Sequence, residues 1–286
     1  MSGGAPAADA AFCADLVRTH DFARYAATLF VPANERRALL ALYAFNAEIV
    51  RVRDQVTQPL PGEIRLQWWT DMLAGHVHGS AEGNPVAAEL LIAIRDYDLP
   101  IEPLSRLLEE HQFDLYNDPM PTMAALEGYL AETCSALLSL AARICARPSE
   151  AIDHLARHAG LAQGVVQVIA SLPRDAAHRQ LFVPQQLLEG HGSTLEEVFA
   201  AKETAALRAA LDELASEARE HIATATALLA EIPPPARLAF LPLAVARREL
   251  ARLSRADRNP FLPQPPSRLG TLWTLWRASR SPQFTK

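Results

Sequence analysis

Three groups of side chains in this chain are spaced so that they could do chemistry. Glu48, Arg51 and Asp54 recur at i, i+3 and i+6 within an otherwise apolar stretch, so they form a charged cluster on one helix face. His154 and His158 stand at i and i+4, the spacing at which one helix offers two imidazoles to zinc. Only Leu155, Ala156 and Arg157 lie between them, with no glutamate to act as base, so zinc is not expected there. The third group runs from Gly160 to Pro184. It opens on the small residues Gly160, Ala162 and Gly164, meets Pro173, and closes on Phe182-Val183-Pro184. Each helical glycine costs about 1 kcal/mol relative to alanine, so two within a turn require a reason. Close helix packing and a cavity wall would both supply one. His76 and His78 sit in a Gly/Ser-rich stretch without thiol or carboxylate partners and read as solvated.

The elements that must position these groups are helices. Alanine and leucine dominate, while glycine and β-branched runs are sparse, which selects an all-α fold. Apolar residues fall at helical spacing from Phe12 to Phe30, with Asp21 a candidate N-cap. A long helix is expected from Glu35 to about Val56, with Leu39, Leu42, Tyr43, Phe45, Ile49 and Val52 as its core stripe. Asn84-Pro85 and Thr122 mark further helix starts, the second leading to about Cys145. Pro173 is expected to break the helix that carries the small residues. Residues 1–10 read as a disordered lead, 11–258 as one all-α domain, and 259–286 as a proline-rich segment ending in a short helix with Trp273 and Trp276 that packs back.

Several function classes are excluded by composition. The net charge is −6, which leaves no general basic field for nucleic acid. Three cysteines without CxxC spacing make neither a disulfide framework nor a zinc ribbon. No basic-then-apolar leader opens the chain, and no apolar run reaches the ~18 residues of a spanning helix. A cytoplasmic protein is expected. Arg247, Arg248, Arg252 and Arg255 at the end of the last long helix suit either a solvated, dipole-matched terminus or an anionic surface, which leaves peripheral contact with the inner membrane open.

Tyr43-Ala44-Phe45, Arg65 to Trp69, Asn84-Pro85-Val86-Ala87, Gly160-x-Ala162 and Phe182-Val183-Pro184 occur in the order in which the squalene/phytoene synthase family carries them. The chain resembles that family from about Asp21 to Trp276. The resemblance implies a single-domain isoprenoid-synthase-like helical bundle around a central apolar cavity, with Tyr43, Phe45, Gly160, Ala162, Gly164, Gln167, Ser171 and Phe182 as cavity or substrate residues. It also implies head-to-head joining of two prenyl diphosphates, in which Mg²⁺ bridges the diphosphate oxygens between two sets of acids. In this chain the first pair falls on Val50 and Asp54, with Arg51 beside them. The second set falls on Gln167, Ser171 and Asp175. The family's basic residue before the first pair becomes Ala47, an arginine becomes Gln180, and a tyrosine becomes Phe182. Asp54 and Asp175, with Glu48 nearby, are the metal ligands or catalytic acids that remain. Arg174-Asp175 could instead be a salt-bridged pair that stabilises a turn.

The variant pattern looks most like the branch that includes mitochondrial complex I assembly factors and their bacterial relatives. That branch implies a synthase fold acting as a non-catalytic assembly or prenyl-lipid-binding factor, with no cofactor expected. Its partners would be a respiratory-complex protein and a prenyl diphosphate, quinone or other isoprenoid lipid. The alternative is an active prenyl transferase of phytoene or squalene synthase type that uses Mg²⁺.

Overall fold

The computed structural model describes residues 5–76, 83–281 and 283–284, and all regular structure among them is helical. Helices α1 (Ala5–His20), α2 (Phe22–Thr28) and α3 (Ala33–Val50) lead to a 3-10 turn at Arg53–Gln55, and are followed by α4 (Pro59–Leu73), α5 (Pro85–Tyr97) and α6 (Ile101–Glu110). After a second 3-10 turn at Phe113–Leu115 come α7 (Met123–Leu130), a π turn at Ala131–Ser135, α8 (Ala136–Cys145) and α9 (Glu150–Ala177). The chain ends with α10 (Gln185–Gly190), α11 (Leu195–Phe199), α12 (Ala205–Leu228), α13 (Pro234–Arg237), α14 (Pro242–Leu253) and α15 (Arg268–Ser279).

The helix starts are chemically marked. Asp21 accepts from the Arg24 amide at 3.0 Å. Asn84 accepts from Val86 and Ala87 ahead of a first-turn proline, and Thr122 accepts from Ala125. Each such cap satisfies an amide that the helix itself leaves open, worth about 1 kcal/mol.

Helix α9 is the axis of the fold. It packs against α8, α12, α14, α7 and the π turn, and buried residues lie on nearly all its sides. Its glycines allow that packing. A Cβ at Gly160 would run into the backbone and side chain of Ser135, and one at Gly164 into the Leu130 side chain. The π turn bulges toward this gap, and Ser135 Oγ donates to the Arg157 carbonyl at 2.9 Å. The helix expected from Thr122 to about Cys145 is present, helical throughout from Met123 to Cys145, and carries a π bulge fitted to a glycine on its neighbour.

Three expectations change. Pro173 does not break α9, which continues to Ala177. An internal proline forfeits one backbone bond and costs about 3 kcal/mol, whereas Val168, Ile169, Leu172 and Ala176 around it are all buried, and each large one contributes roughly 1.5–3 kcal/mol. Helix α3 stops at Val50 rather than near Val56, so Asp54 sits on the 3-10 turn, where Arg53 reaches the Val56 carbonyl and Asn117 instead of continuing the spiral. The first helix starts at Ala5, inside the stretch read as a disordered lead. Its alanine-rich composition favours helix, and Cys13 and Val17 anchor it in the core.

At the C-terminal end α15 packs on α14 and α2 through Thr271, Leu275 and Ala278. Its tryptophans face outward. Trp273 is 58% and Trp276 43% exposed, stacked at 4.9 Å, with Leu269 at 79% beside them. The arginines at the end of α14 are instead occupied: Arg252 pairs with Glu249, Arg255 with Asp257, Arg247 donates to the Phe284 carbonyl, and Arg248 reaches Thr274. Among the described residues no helix is long and apolar enough to cross a membrane. His76 is exposed, and His78 lies outside the described residues.

Candidate functional site

A cavity of about 160 Å³ lies where α2, the end of α3, α7, the π turn and α9 meet. Part of its wall is apolar, formed by Val50, Leu130, Leu137, Val168 and Phe182 beside Gly164, and part is polar, formed by the buried His111, Asp114, Thr133 and Gln180. Its mouth is charged. Arg51, Arg53 and Arg174, all at least partly exposed, line it with the exposed Asp54 and the half-buried Asp21, while Arg24 and Asp114, which also line the cavity, are buried. Arg24 is buried against Asp21 at 2.6 Å, with its guanidinium 5.6 Å from the Tyr43 ring centroid. Burial holds His20 at the rim below the usual imidazole range, and the next largest influence is repulsion from Arg51, which exceeds the attraction of Glu48.

The structure brings together some of the expected residues and separates others. Gly164, Gln167, Ser171, Phe182 and Asp54 line the cavity. Asp54 is exposed on its turn, and neither it nor Arg51 pairs with a described side chain. Tyr43 and Phe45 do not line the cavity: both are buried in the core, Phe45 edge-on to Trp69 with centroids 5.0 Å apart. Gly160 and Ala162 are also buried away from it, Gly160 against Ser135. Glu48 lies outside the lining, near His20 and Arg51.

Ser171 and Asp175 keep the i, i+4 relation because α9 is continuous. Asp175 points into the protein, however, accepting from Ser171 Oγ and from the Arg174 guanidinium at 3.1 Å. The Arg174-Asp175 pair exists, but on a helix rather than a turn. Burial raises the Asp175 carboxyl above the ordinary aspartate range, against the lowering influence of Arg174. A raised carboxylate costs folding stability at neutral pH, and that cost disappears as pH falls through the folded-state value. Asp175→Asn should therefore leave the melting temperature at pH 7 unchanged or higher. Its advantage over the parent should shrink toward pH 4, and thermal melts across that range would show this; a large loss at pH 7 would contradict it.

The most connected polar group at the site was not legible as one. His111 Nδ1 lies 2.7 Å from Asp114 Oδ2, Tyr129 donates to Asp114 Oδ1 at 2.9 Å, and Gln180 Nε2 donates to the Asp114 carbonyl at 2.9 Å. Phe182 and Phe113 close around Tyr129, with centroids 5.6 and 6.1 Å from its ring. His111 Nε2 is buried without a partner among the described residues. The i, i+3 pair His111 and Asp114 was a signal available in the sequence; Tyr129, far along the chain, was not. Burial and Asp114 push the Tyr129 hydroxyl well above its ordinary range, and burial raises the Cys134 thiol, so neither supplies an anionic nucleophile at neutral pH. The arrangement can hold a small ligand with an acceptor or anionic group at the arginine-lined mouth. Pockets for drug-sized ligands run to about 300–1,000 Å³, so this cavity is narrow for two long apolar chains.

A family model described as squalene/phytoene synthase matches residues 17–277. NADH dehydrogenase (ubiquinone) complex I, assembly factor 6 of Mus musculus is 29% identical over 252 residues, covering 88% of this chain and 76% of that protein. Presqualene diphosphate synthase of Rhodopseudomonas palustris is 25% identical over 210 residues, 73% of this chain and 75% of its own length. Among solved structures, a squalene synthase from Alicyclobacillus acidocaldarius matches with a TM-score of 0.74 at 24% identity, over 90% of this chain and 97% of that one. A dehydrosqualene synthase in complex with ligand matches at 0.79 and 15% identity, over 95% and 96%. These two structural likenesses establish the shared helical fold.

Proposed function

The chain belongs to the squalene/phytoene synthase family, and from that membership we propose that it acts without prenyl transfer, as an assembly factor for a respiratory complex of the complex I type. One observation carries this reading: the cavity mouth does not offer a Mg²⁺ donor set. Mg²⁺ takes hard oxygen ligands, usually carboxylates and waters. Here Val50 and Arg51 adjoin the exposed Asp54, and the opposite helix offers Gln167, Ser171 and an Asp175 already held by Ser171 and Arg174; the other two acids lining the cavity are also engaged, Asp21 by Arg24 and Asp114 by His111 and Tyr129. Arg51, Arg53 and Arg174 at the mouth repel a divalent cation and compete with it for the acids that remain. The similarity to complex I assembly factor 6 supports the second half of the proposal.

Purified protein incubated with farnesyl or geranylgeranyl diphosphate and Mg²⁺ should release no diphosphate above the blank. Metal-dependent release that disappears in Asp54→Ala would establish the alternative, an active prenyl transferase. Deleting the gene should lower assembled complex I on native gels, and both the parent and the Asp54→Ala chain should restore it.

The apolar side chains and the arginines that line the cavity together favour a second role, holding a prenyl diphosphate, quinone or other isoprenoid lipid without chemistry. Mass spectrometry of lipid retained through purification tests it, and repeatedly empty protein counts against it.

Helix α15 supports peripheral membrane contact. Stacked exposed tryptophans suit the headgroup boundary of a bilayer, and from Asn259 to Lys286 the sequence holds Arg268, Arg277, Arg280 and Lys286 with no acid. Co-sedimentation with anionic phospholipid vesicles should fall at least fivefold in Trp273→Ala/Trp276→Ala, from roughly 1 kcal/mol or more of interfacial attraction lost. Equal sedimentation of parent and variant would refute the contact.

A further inference from the structure

The histidine pair on α9 has partners that lie far from it in the chain. His154 and His158 meet edge to face with centroids 5.0 Å apart, and His158 Nδ1 lies 2.9 Å from Nδ1 of His221 on α12. One turn before His221, on the same face of α12, is Glu217; α7 brings Glu127 to the same place. Glu127, Glu217 and His221 each offer a ligand atom within 4.8 Å of the other two. We propose that Glu127, Glu217 and His221, with His158 against His221, form a site for a divalent transition-metal ion of the zinc type.

Three observations carry the assignment. The ligand chemistry is mixed imidazole and carboxylate, which suits zinc and its neighbours and does not suit Mg²⁺. The spacing is close to what coordination requires: bonds of about 2.0–2.2 Å place neighbouring ligands roughly 3.3 Å apart, so rotation of two half-buried glutamates closes the set. The third observation is an imbalance of charge. Two carboxylates lie within 4.8 Å of each other, yet neither accepts a hydrogen bond or pairs with a cationic side chain among the described residues. Their mutual repulsion is what a bound cation would remove. His158 serves either as the fourth ligand or as the hydrogen-bond partner that fixes the His221 ring, the two roles open to an imidazole beside a metal ligand.

The site is separate from the cavity, since none of these residues lines it. It ties α7, α9 and α12 together at one point, so its expected role is a structural clamp on the axis of the fold. Metal that binds the folded chain alone raises its stability.

The test uses the full chain, stripped with EDTA and free of any affinity tag, titrated calorimetrically with ZnCl₂ and separately with MgCl₂. One zinc per chain should bind at micromolar concentration or below, with no Mg²⁺ uptake, and the melting temperature should rise by roughly 5 °C at saturating zinc. Glu217→Gln/His221→Ala should weaken binding at least tenfold, while Glu127→Gln does so from a different helix and serves if the double variant fails to fold. X-ray absorption at the zinc edge should show a nitrogen and oxygen shell only. No binding below about 100 µM, unchanged affinity in both variants, or a sulfur shell from the cysteines would each overturn the assignment.

Discussion

Gly160→Ala should lower the melting temperature by about 6 °C, although alanine is the better helix former. The propensity gain is roughly 1 kcal/mol, whereas forcing a methyl into a filled contact costs about 3 kcal/mol when the neighbour cannot move. Here the neighbour is backbone: the added Cβ meets the Cα and amide nitrogen of Ser135 in the π turn, itself held by the bond from Ser135 Oγ to the Arg157 carbonyl. A net loss of about 2 kcal/mol corresponds to a few degrees per kcal/mol in a chain of this size. Gly164→Ala, one turn along, should leave the melting temperature within about 2 °C of the parent, since its Cβ meets only the end of the Leu130 side chain, which borders the cavity and can move into it. Thermal denaturation of both variants measures the contrast, and equal losses would mean that the two glycines have the same role.

Asp114→Ala should be the most damaging substitution at the cavity, costing about 3 kcal/mol in urea denaturation. The carboxylate it removes holds the buried His111 and the half-buried Tyr129, and its loss leaves both without that partner at the cavity wall. Tyr129→Phe removes one of those bonds and should cost about 1 kcal/mol. Because the two residues share a partner, the double variant should lose less than the sum of the singles; strict additivity would show that the network does not act as a unit. The cavity wall should be lost with it, since Tyr129 is fixed against Phe182 and Phe113 only while its hydroxyl is anchored.

The places where expectation and structure parted share a cause. Pro173 carries a strong local signal for a break, yet it lies among buried residues of the central helix, and burial summed over that face exceeds one lost hydrogen bond. Tyr43 and Phe45, whose motif marks the family, turned out to be core residues rather than cavity residues, because periodicity reports that a face is buried and not what it is buried against. The same limit applied to His154 and His158. Read along their own helix they lacked an acid; across the fold His158 meets His221 of α12, and it is His221 that has Glu127 and Glu217 around it.

The sequence by itself determined the helical class, the caps that start α2, α5 and α7, the family, and that positions 50, 167 and 171 carry Val, Gln and Ser. Each of these is written in local periodicity, in a capping side chain, or in the identity of a residue at a motif position. Only the tertiary structure decided which small residue packs and which lines the cavity, that Gln180 and Tyr129 join His111 and Asp114 in one network, and that α7 and α12 bring Glu127 and Glu217 together beside His221. These depend on contacts between residues tens of positions apart, whose energies come from burial and from the absence of competing water, and neither quantity exists until the helices have packed.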